Sequence, residues 1–228
     1  MLNIKPTAMF RAHLFIILIL LSAGTALAQR KNANADNSIL VANKKYLYEE
    51  CYRDSSKSSK FYVVLSSFEE PKFNQTLIKY TYYSSLDSVL QDISYYWEET
   101  LAEESQKWFA LHPPRALLNE INQILPFPEI KLKKSIGYRW KETLTGMKGW
   151  DNYPKNLVVK SFYTIEKDSI IDVMGNNSVL CRKVSTFSTS KIGKGKSVFY
   201  YNHTYGFVLI ENKINDVKLT MKLLRVLK

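Results

Sequence analysis

The stretch SLDSVLQDISYYWEETLAEESQKWFAL, residues 85–111, determines the predicted fold class. Its apolar residues recur at the i, i+3, i+4, i+7 spacing of one buried helix face, and acidic residues occupy most of the remaining circumference. Ser84 or Ser85 is a suitable N-cap. Pro113 disfavours a helical conformation in the residue before it. The pattern therefore predicts one long amphipathic helix over residues 86–111.

A second, shorter helix is predicted after the Pro-Pro pair. Apolar residues recur at helical spacing between Arg115 and Leu125, and Pro114 suits the first turn of a helix. Pro126 and Pro128 end it, because proline cannot donate the backbone hydrogen bond that a continuing helix needs.

The rest of the chain carries strand-like runs rich in Tyr, Val and Ile, separated by turn-prone residues. The predicted strands are 39–52, 61–68, 77–83, 135–144, 157–165, 169–173, 179–188, 197–203, 205–212 and 217–226. A helix that buries one stripe needs a large surface to receive it. The predicted fold class is therefore α+β, a strongly curved antiparallel sheet (half-barrel) packed on one long and one short helix.

The N-terminus has the three parts of a secretory signal. Lys5 and Arg11 precede the apolar run 14–21, and Ala-Leu-Ala precedes Gln29. No later apolar segment approaches the ~20 residues that span a bilayer. The chain is therefore expected to be exported, to the periplasm or fully secreted, without a transmembrane segment after signal removal. The predicted organisation is a signal peptide at 1–28, a flexible lead-in at 29–37 and a single α+β domain at 38–228.

The composition is that of a globular, basic protein. Hydrophobic residues make up 46% and charged residues 23% of the chain. Removing Lys5 and Arg11 with the signal lowers the formal charge from +11 to +9. Export and the scattered distribution of the lysines argue against a nucleic-acid partner. A net positive charge concentrates anions near the surface, so an anionic component of the cell envelope is one expected partner.

Motifs that carry chemistry are absent. The chain has no G-x-S-x-G, H-E-x-x-H, G-x-x-x-x-G-K-[ST] or G-x-G-x-x-G sequence. After the signal it has two histidines and two cysteines, which leaves few ligands for a zinc site. We therefore predict no catalytic residue, no metal and no cofactor, and the sequence favours a non-catalytic protein over an enzyme.

Two short features each allow two interpretations. Cys51 and Cys181 either form a disulfide, which an exported protein permits, or are two separate core residues. His112 and Arg115 flank the Pro-Pro pair, and either bind an anion at the start of the second helix or form a corner between two helices.

Aromatic residues recur in the second half of the chain. They either line a ligand cavity on the concave face of the sheet or fill an ordinary core. The candidates are Tyr138, Trp140, Phe162, Phe199, Tyr201 and Phe207.

Three segments resemble those of small exported bacterial proteins of unknown function. They are His112-Pro113-Pro114-Arg115, Pro126-Phe127-Pro128-Glu129, and Tyr200-Tyr201-Asn202 with Tyr205-Gly206-Phe207-Val208. The order of elements is also similar to that of lipoprotein-carrier half-barrels, which hold acyl chains under a helical lid. This similarity in architecture transfers no residue.

Two functions follow. In the first, the protein binds an apolar or amphiphilic, lipid-like ligand between the sheet and the helix at 86–111. In the second, it is a structural or interaction module of the cell envelope, with a filled core and a basic sheet surface.

Overall fold

A computed structural model describes residues 38–41, 44–72, 75–114, 121–122, 124–145, 156–173, 175 and 177–227. All of these except Ser38 belong to one compact unit, Ile39–Lys228. The predicted signal peptide and lead-in lie outside the described residues, and so does Arg115.

The described chain forms thirteen strands and one short helix. The first six strands are β1 Lys45–Arg53, β2 Ser58–Lys72, β3 Gln75–Tyr83, β4 Tyr96–Glu104, β5 Trp108–Leu111 and β6 Glu129–Lys131. The remaining seven are β7 Arg139–Thr145, β8 Val158–Ile165, β9 Ser169–Val173, β10 Asn177–Ser190, β11 Gly193–Asn202, β12 Gly206–Ile214 and β13 Val217–Leu227. The helix, α1, is Leu86–Leu90 and lies between β3 and β4.

All strand pairs are antiparallel and join into one sheet. The order across the sheet is β6-β5-β4-β3-β2-β1-β13-β12-β11-β10-β8-β7, and β9 pairs with the first part of β10. Two meanders, β1–β6 and β7–β13, are therefore joined where the first strand pairs with the last. In this join Lys45 lies opposite Leu227 and Arg53 lies opposite Lys218.

The connectivity requires the sheet to curl. The end strands β6 and β7 are consecutive in the chain and are linked by residues 132–138 alone. In a flat sheet they would lie ~53 Å apart at ~4.8 Å per strand, whereas eight Cα-to-Cα steps reach at most ~29 Å. The two ends of the sheet must therefore approach each other, and one face becomes an enclosed inner face.

The inner face is filled with side chains. Its main cluster of buried residues runs through both meanders and includes Tyr48, Ile78, Phe109, Phe199 and Phe207. A second buried cluster closes the inner face near the loop before β6. Its members are Ile121, Ile124, Leu125, Leu157, Val159 and Ile214.

The predicted long helix is wrong. Residues 86–90 alone are helical, with Ser85 as the N-cap that accepts a hydrogen bond from the N–H of Ser88. Residues 96–104 and 108–111 are instead the strands β4 and β5. The fold is nearly all-β, so the predicted α+β class, with a half-barrel packed on one long and one short helix, is also wrong.

Local chemistry explains where the helix ends. Asp92 has a φ of 53°, which breaks the helical path, and Tyr95, Tyr96 and Trp97 favour extended backbone. Ser105 then closes a tight turn, accepting hydrogen bonds from the N–H groups of Lys107 and Trp108. Neighbouring strands pair with both segments, whereas a helix forms its own backbone hydrogen bonds and depends mostly on packing of its apolar stripe for stability.

The predicted short helix is partly outside the described residues, at 115–120 and 123. In the rest of it, residues 121–122 form a single 3₁₀ turn, and the N–H of Ile124 donates to the carbonyl of Ile121 at 3.2 Å. Ile124 and Leu125 are buried. This segment therefore fills the inner face as a compact turn.

The antiparallel strands are confirmed. Each of the ten strands predicted outside the helical region overlaps an observed one, although the first begins at Lys45 instead of Ile39. Within the described part of the chain, no helix has the length and apolar character needed to cross a membrane.

Candidate functional site on the outer face of the sheet

The six aromatic residues predicted from the sequence lie in three different environments. Phe199, Tyr201 and Phe207 are buried in the main cluster, with the Phe207 ring 5.9 Å from Phe199 and 5.6 Å from Tyr201. Tyr138 and Trp140 are half-buried. Phe162 points outwards, and 45% of its surface is exposed.

These positions do not favour the first predicted function, the binding of an apolar ligand between the sheet and a helix. The helix that would cover a ligand is absent, because residues 96–111 belong to the sheet. The buried aromatic residues pack against one another on the inner face. An apolar ligand between sheet and helix therefore has neither the helix nor an open concave face in the described residues.

His112 is half-buried, and its ring lies 5.1 Å from that of Phe127. Its predicted partner in an anion site, Arg115, lies outside the described residues, so that prediction remains open. Cys51 on β1 and Cys181 on β10 are both free thiols in this structure, on strands separated by three others in the sheet order.

The outer face carries a continuous row of exposed side chains across seven neighbouring strands. Each member lies directly opposite the next in the strand register. We name it the basic row, and in spatial order it consists of Lys141, Phe162, Phe187, Lys196, Lys213, Lys218 and Arg53. All seven residues are exposed. Measured along the curve of the sheet at ~4.8 Å per strand, the row is ~29 Å long.

Two aromatic residues form the apolar part of this row. Phe162 and Phe187 are 45% and 37% exposed, and their rings stack with centroids 6.4 Å apart. Val158, four residues before Phe162 on the same face of β8, is 38% exposed. Phe162 and Phe187 therefore form a small exposed apolar patch within the row.

The rest of the row is cationic. Lys196, Lys213, Lys218 and Arg53 follow one another across four strands without an intervening acid. The nearest ion-pair partner is Glu211, whose carboxylate lies 3.8 Å from the ammonium group of Lys218. Like charges directly opposite each other on a sheet are destabilising. The row is thus a local electrostatic cost to the folded protein.

The sequence contained a weak signal for this surface. Lys194 and Lys196 flank the buried Gly195, and Lys213 and Lys218 are each next to a buried residue at the β12–β13 turn. This alternation places the lysines on one face of each strand. The register between strands, which aligns them into one row, is a property of the tertiary structure.

The side chains of the basic row suit binding to an acidic partner. Among the described residues, no group of three or more His, Cys, Asp or Glu side chains is placed to hold a metal ion. Ammonium and guanidinium groups beside exposed aromatic rings can bind acidic groups and insert into an apolar boundary.

No protein-family model matches the chain, and no curated protein sequence matches it. Among solved structures, the chain is similar to a protein from Bacteroides fragilis described as exported and with a YmcC-like fold. The two are 12% identical, with a TM-score of 0.43, and the alignment covers 82% of this chain and 96% of the other.

Proposed function

We propose that this protein is an exported, non-catalytic module that binds the anionic surface of a membrane through the basic row. The observation that carries the proposal is the register itself, which aligns five cationic and two aromatic side chains on one exposed line. It is a specific form of the second function predicted from the sequence, an interaction module of the cell envelope with a basic sheet surface. It needs a filled core and a basic sheet surface.

The chemistry favours a lipid surface over a soluble polyanion. Lysines near an anionic bilayer each contribute about 1 kcal/mol to binding. Aromatic rings add stabilisation at the headgroup boundary, where their apolar faces leave water. Purely electrostatic binding to an anionic polymer would not use the exposed rings of Phe162 and Phe187. The predicted export signal at residues 1–28 supports contact with an envelope membrane.

An anionic surface also relieves the repulsion within the row. Lys213 lies opposite Lys196 on one side and opposite Lys218 on the other. Their acidic neighbour is Glu211, which lies 3.8 Å from the ammonium group of Lys218. Acidic headgroups would supply the missing counter-charge. Binding by this face is therefore favoured by direct attraction to the headgroups. It is also favoured because the headgroups reduce the repulsion between neighbouring lysines in the free protein.

Vesicle co-sedimentation tests the proposal. The mature protein is mixed with phosphatidylcholine vesicles that contain phosphatidylglycerol, and with pure phosphatidylcholine vesicles. We expect binding to the first only, weakening as salt is raised, because exposed charges are screened over about 10 Å at 0.1 M ionic strength. Lys196→Gln/Lys213→Gln should weaken binding by about tenfold or more.

Two comparisons make the test specific. The matched control is Lys45→Gln/Lys222→Gln, which removes the same charge from exposed positions outside the basic row. Phe162→Ser/Phe187→Ser should weaken vesicle binding without changing the charge. Equal losses in the control and in the row variant would overturn the proposal, and so would binding to an acidic polysaccharide in preference to vesicles.

A further inference from the structure

A second cationic feature lies at the other end of the sheet, between the β4–β5 turn and the connection after β6. It is a groove of about 580 Å³ lined by Ser105, Lys107, Trp108, Lys131, Lys133 and Lys134. We name it the lysine groove. None of its residues belongs to the basic row, so it is a separate site.

The floor of the groove is a cross-strand pair. Trp108 on β5 lies opposite Lys131 on β6, and the Lys131 ammonium group lies 3.9 Å from the centre of the indole ring. The same ammonium group forms an ion pair with the buried carboxylate of Glu129 at 2.6 Å. Lys131 is therefore held in place by an aromatic face and a carboxylate.

One wall is the turn between β4 and β5. The Ser105 hydroxyl accepts hydrogen bonds from the N–H groups of Lys107 and Trp108 at 3.2 and 3.1 Å, and the Ser105 N–H donates to the Trp108 carbonyl at 2.9 Å. These bonds fix the backbone that carries Lys107. The N–H of Leu132 donates to the Lys107 carbonyl at 2.8 Å, which ties this wall to the next.

The other wall is the connection that carries Lys133 and Lys134. The N–H of Lys134 donates to the carbonyl of Lys131 at 3.2 Å, which turns the chain back. Arg182 on β10 donates to the Lys134 carbonyl at 3.2 Å, and its guanidinium is itself paired with Asp168. The Lys134 ammonium group lies 4.7 Å from the centre of the Tyr138 ring. Both walls are thus anchored to the sheet.

The charge in the groove is one-sided. Among the described residues, four lysines and no acidic residue line the groove, and Glu129 forms an ion pair with Lys131. The acids of the nearby β4 strand are engaged elsewhere: Glu103 accepts a hydrogen bond from Gln75, and Glu104 binds the backbone N–H groups of residues 39 and 40. The lining of the groove therefore carries a net positive charge, although the Lys131 ammonium group is already paired with Glu129.

From this geometry we infer that the lysine groove is a binding site for a small polyvalent oxyanion, one that carries two or more phosphate or carboxylate groups. The volume lies within the range of small-ligand sites. Each acidic group accepts charge-assisted hydrogen bonds from lysines, which are stronger than bonds between neutral groups. Such groups occur on free solutes and on lipid headgroups, and the two sources share the same chemistry.

Isothermal titration calorimetry with inorganic tripolyphosphate is the first arm of the test. We expect one ligand per protein, and we expect Lys133→Gln/Lys134→Gln to weaken binding by about tenfold or more. The matched control, Lys45→Gln/Lys222→Gln, removes the same charge elsewhere and should change the dissociation constant by less than about twofold. Thermal unfolding of each variant checks that all are folded.

The second arm uses phosphatidylcholine vesicles that contain phosphatidic acid. The protein then carries Lys196→Gln/Lys213→Gln throughout, so that the basic row contributes little. If Lys133→Gln/Lys134→Gln weakens the binding of tripolyphosphate, the groove binds a free anion. If the same substitutions weaken only the binding to vesicles, the groove binds a lipid headgroup. Equal losses in groove and control variants, or no saturable binding in either arm, would overturn the inference while leaving the function of the basic row intact.

Discussion

The side chain of Leu125 packs directly onto the backbone of Gly195. A Cβ atom on Gly195 would lie 2.5 Å from Leu125 Cδ2 and 2.7 Å from the hydroxyl of Ser188. The loop before β6 can cover the inner face of β11 because this position has no side chain. The contact joins the second buried cluster to the sheet.

Substitution of Gly195 should therefore destabilise the fold. We expect Gly195→Ala to lower the free energy of unfolding by about 1–3 kcal/mol, because the added methyl group overpacks a buried site. Urea denaturation followed by tryptophan fluorescence measures the change. Lys194→Ala, at the exposed neighbouring position, is the control and should stay within about 0.5 kcal/mol of the unsubstituted protein. An alanine at 195 that leaves stability unchanged would contradict the tight packing.

Glu50 gives the protein a distinct pH dependence. Its side chain is buried, neither carboxylate oxygen has a hydrogen-bond partner among the described residues, and burial raises its pKa from 4.5 to about 8. Between these values the unfolded chain releases the proton and the native protein keeps it. Stability therefore falls as pH rises through this window, by about 1.4 kcal/mol per pH unit, and levels off above it.

Denaturation curves between pH 5 and pH 9 test this dependence. Glu50→Gln should remove the contribution of Glu50 to the slope and stabilise the protein most at the alkaline end, because the amide carries no charge. Glu99→Gln changes an exposed carboxyl group and should keep the slope of the unsubstituted protein. An unaltered slope in Glu50→Gln would show that Glu50 does not titrate as described.

The carboxylate of Glu104 anchors the first described residues to β4. It accepts hydrogen bonds from the N–H groups of Ile39 at 2.7 Å and Leu40 at 3.0 Å, and both of these side chains are buried. We expect Glu104→Gln to cost about 1–3 kcal/mol of stability, because a charged acceptor is lost from two backbone donors. Hydrogen exchange at residues 39 and 40 should accelerate. Faster exchange throughout β1 with no local effect would argue against a local anchor. Glu99→Gln again serves as the control.

The two cysteines should differ in reactivity. Burial raises the pKa of the Cys181 thiol to about 11, and the pKa of the half-buried Cys51 is raised by partial burial and by Glu49. A thiolate is the reactive form, so both should react slowly in the native protein at pH 8, and Cys181 should react more slowly than Cys51. In the unreduced, denatured protein, a thiol reagent should detect two thiols. Detecting none would instead establish the disulfide that the sequence left open.

The basic row should lower the free energy of unfolding while it strengthens vesicle binding. Lys213 lies between Lys196 and Lys218 in the register, and Lys213→Thr removes two like-charge contacts while placing a strand-favouring residue on the sheet. We expect it to raise the free energy of unfolding by up to about 1 kcal/mol at low salt. The same substitution should weaken vesicle binding. A gain in stability that persists unchanged at high salt would exclude charge repulsion as its cause.

The sequence by itself determined the strands. Period-two alternation, β-branched and aromatic residues and turn-prone breaks located ten of them, because these signals act within a few neighbouring residues. It also limited the N-cap to Ser84 or Ser85. The structure has Ser85 there, and its hydroxyl accepts a hydrogen bond from the N–H of Ser88. The net positive charge of the chain was likewise readable from composition.

Only the tertiary structure decided the rest. Residues 96–111 fit a helical stripe as well as two strands, and β3 and β6 settle the choice by supplying backbone hydrogen bonds from distant parts of the chain. The pairing of β1 with β13, the first strand with the last, is non-local in the same way. The basic row and the lysine groove depend on these registers. Side chains that are far apart in the chain become neighbours there because antiparallel pairing fixes which residues lie opposite one another.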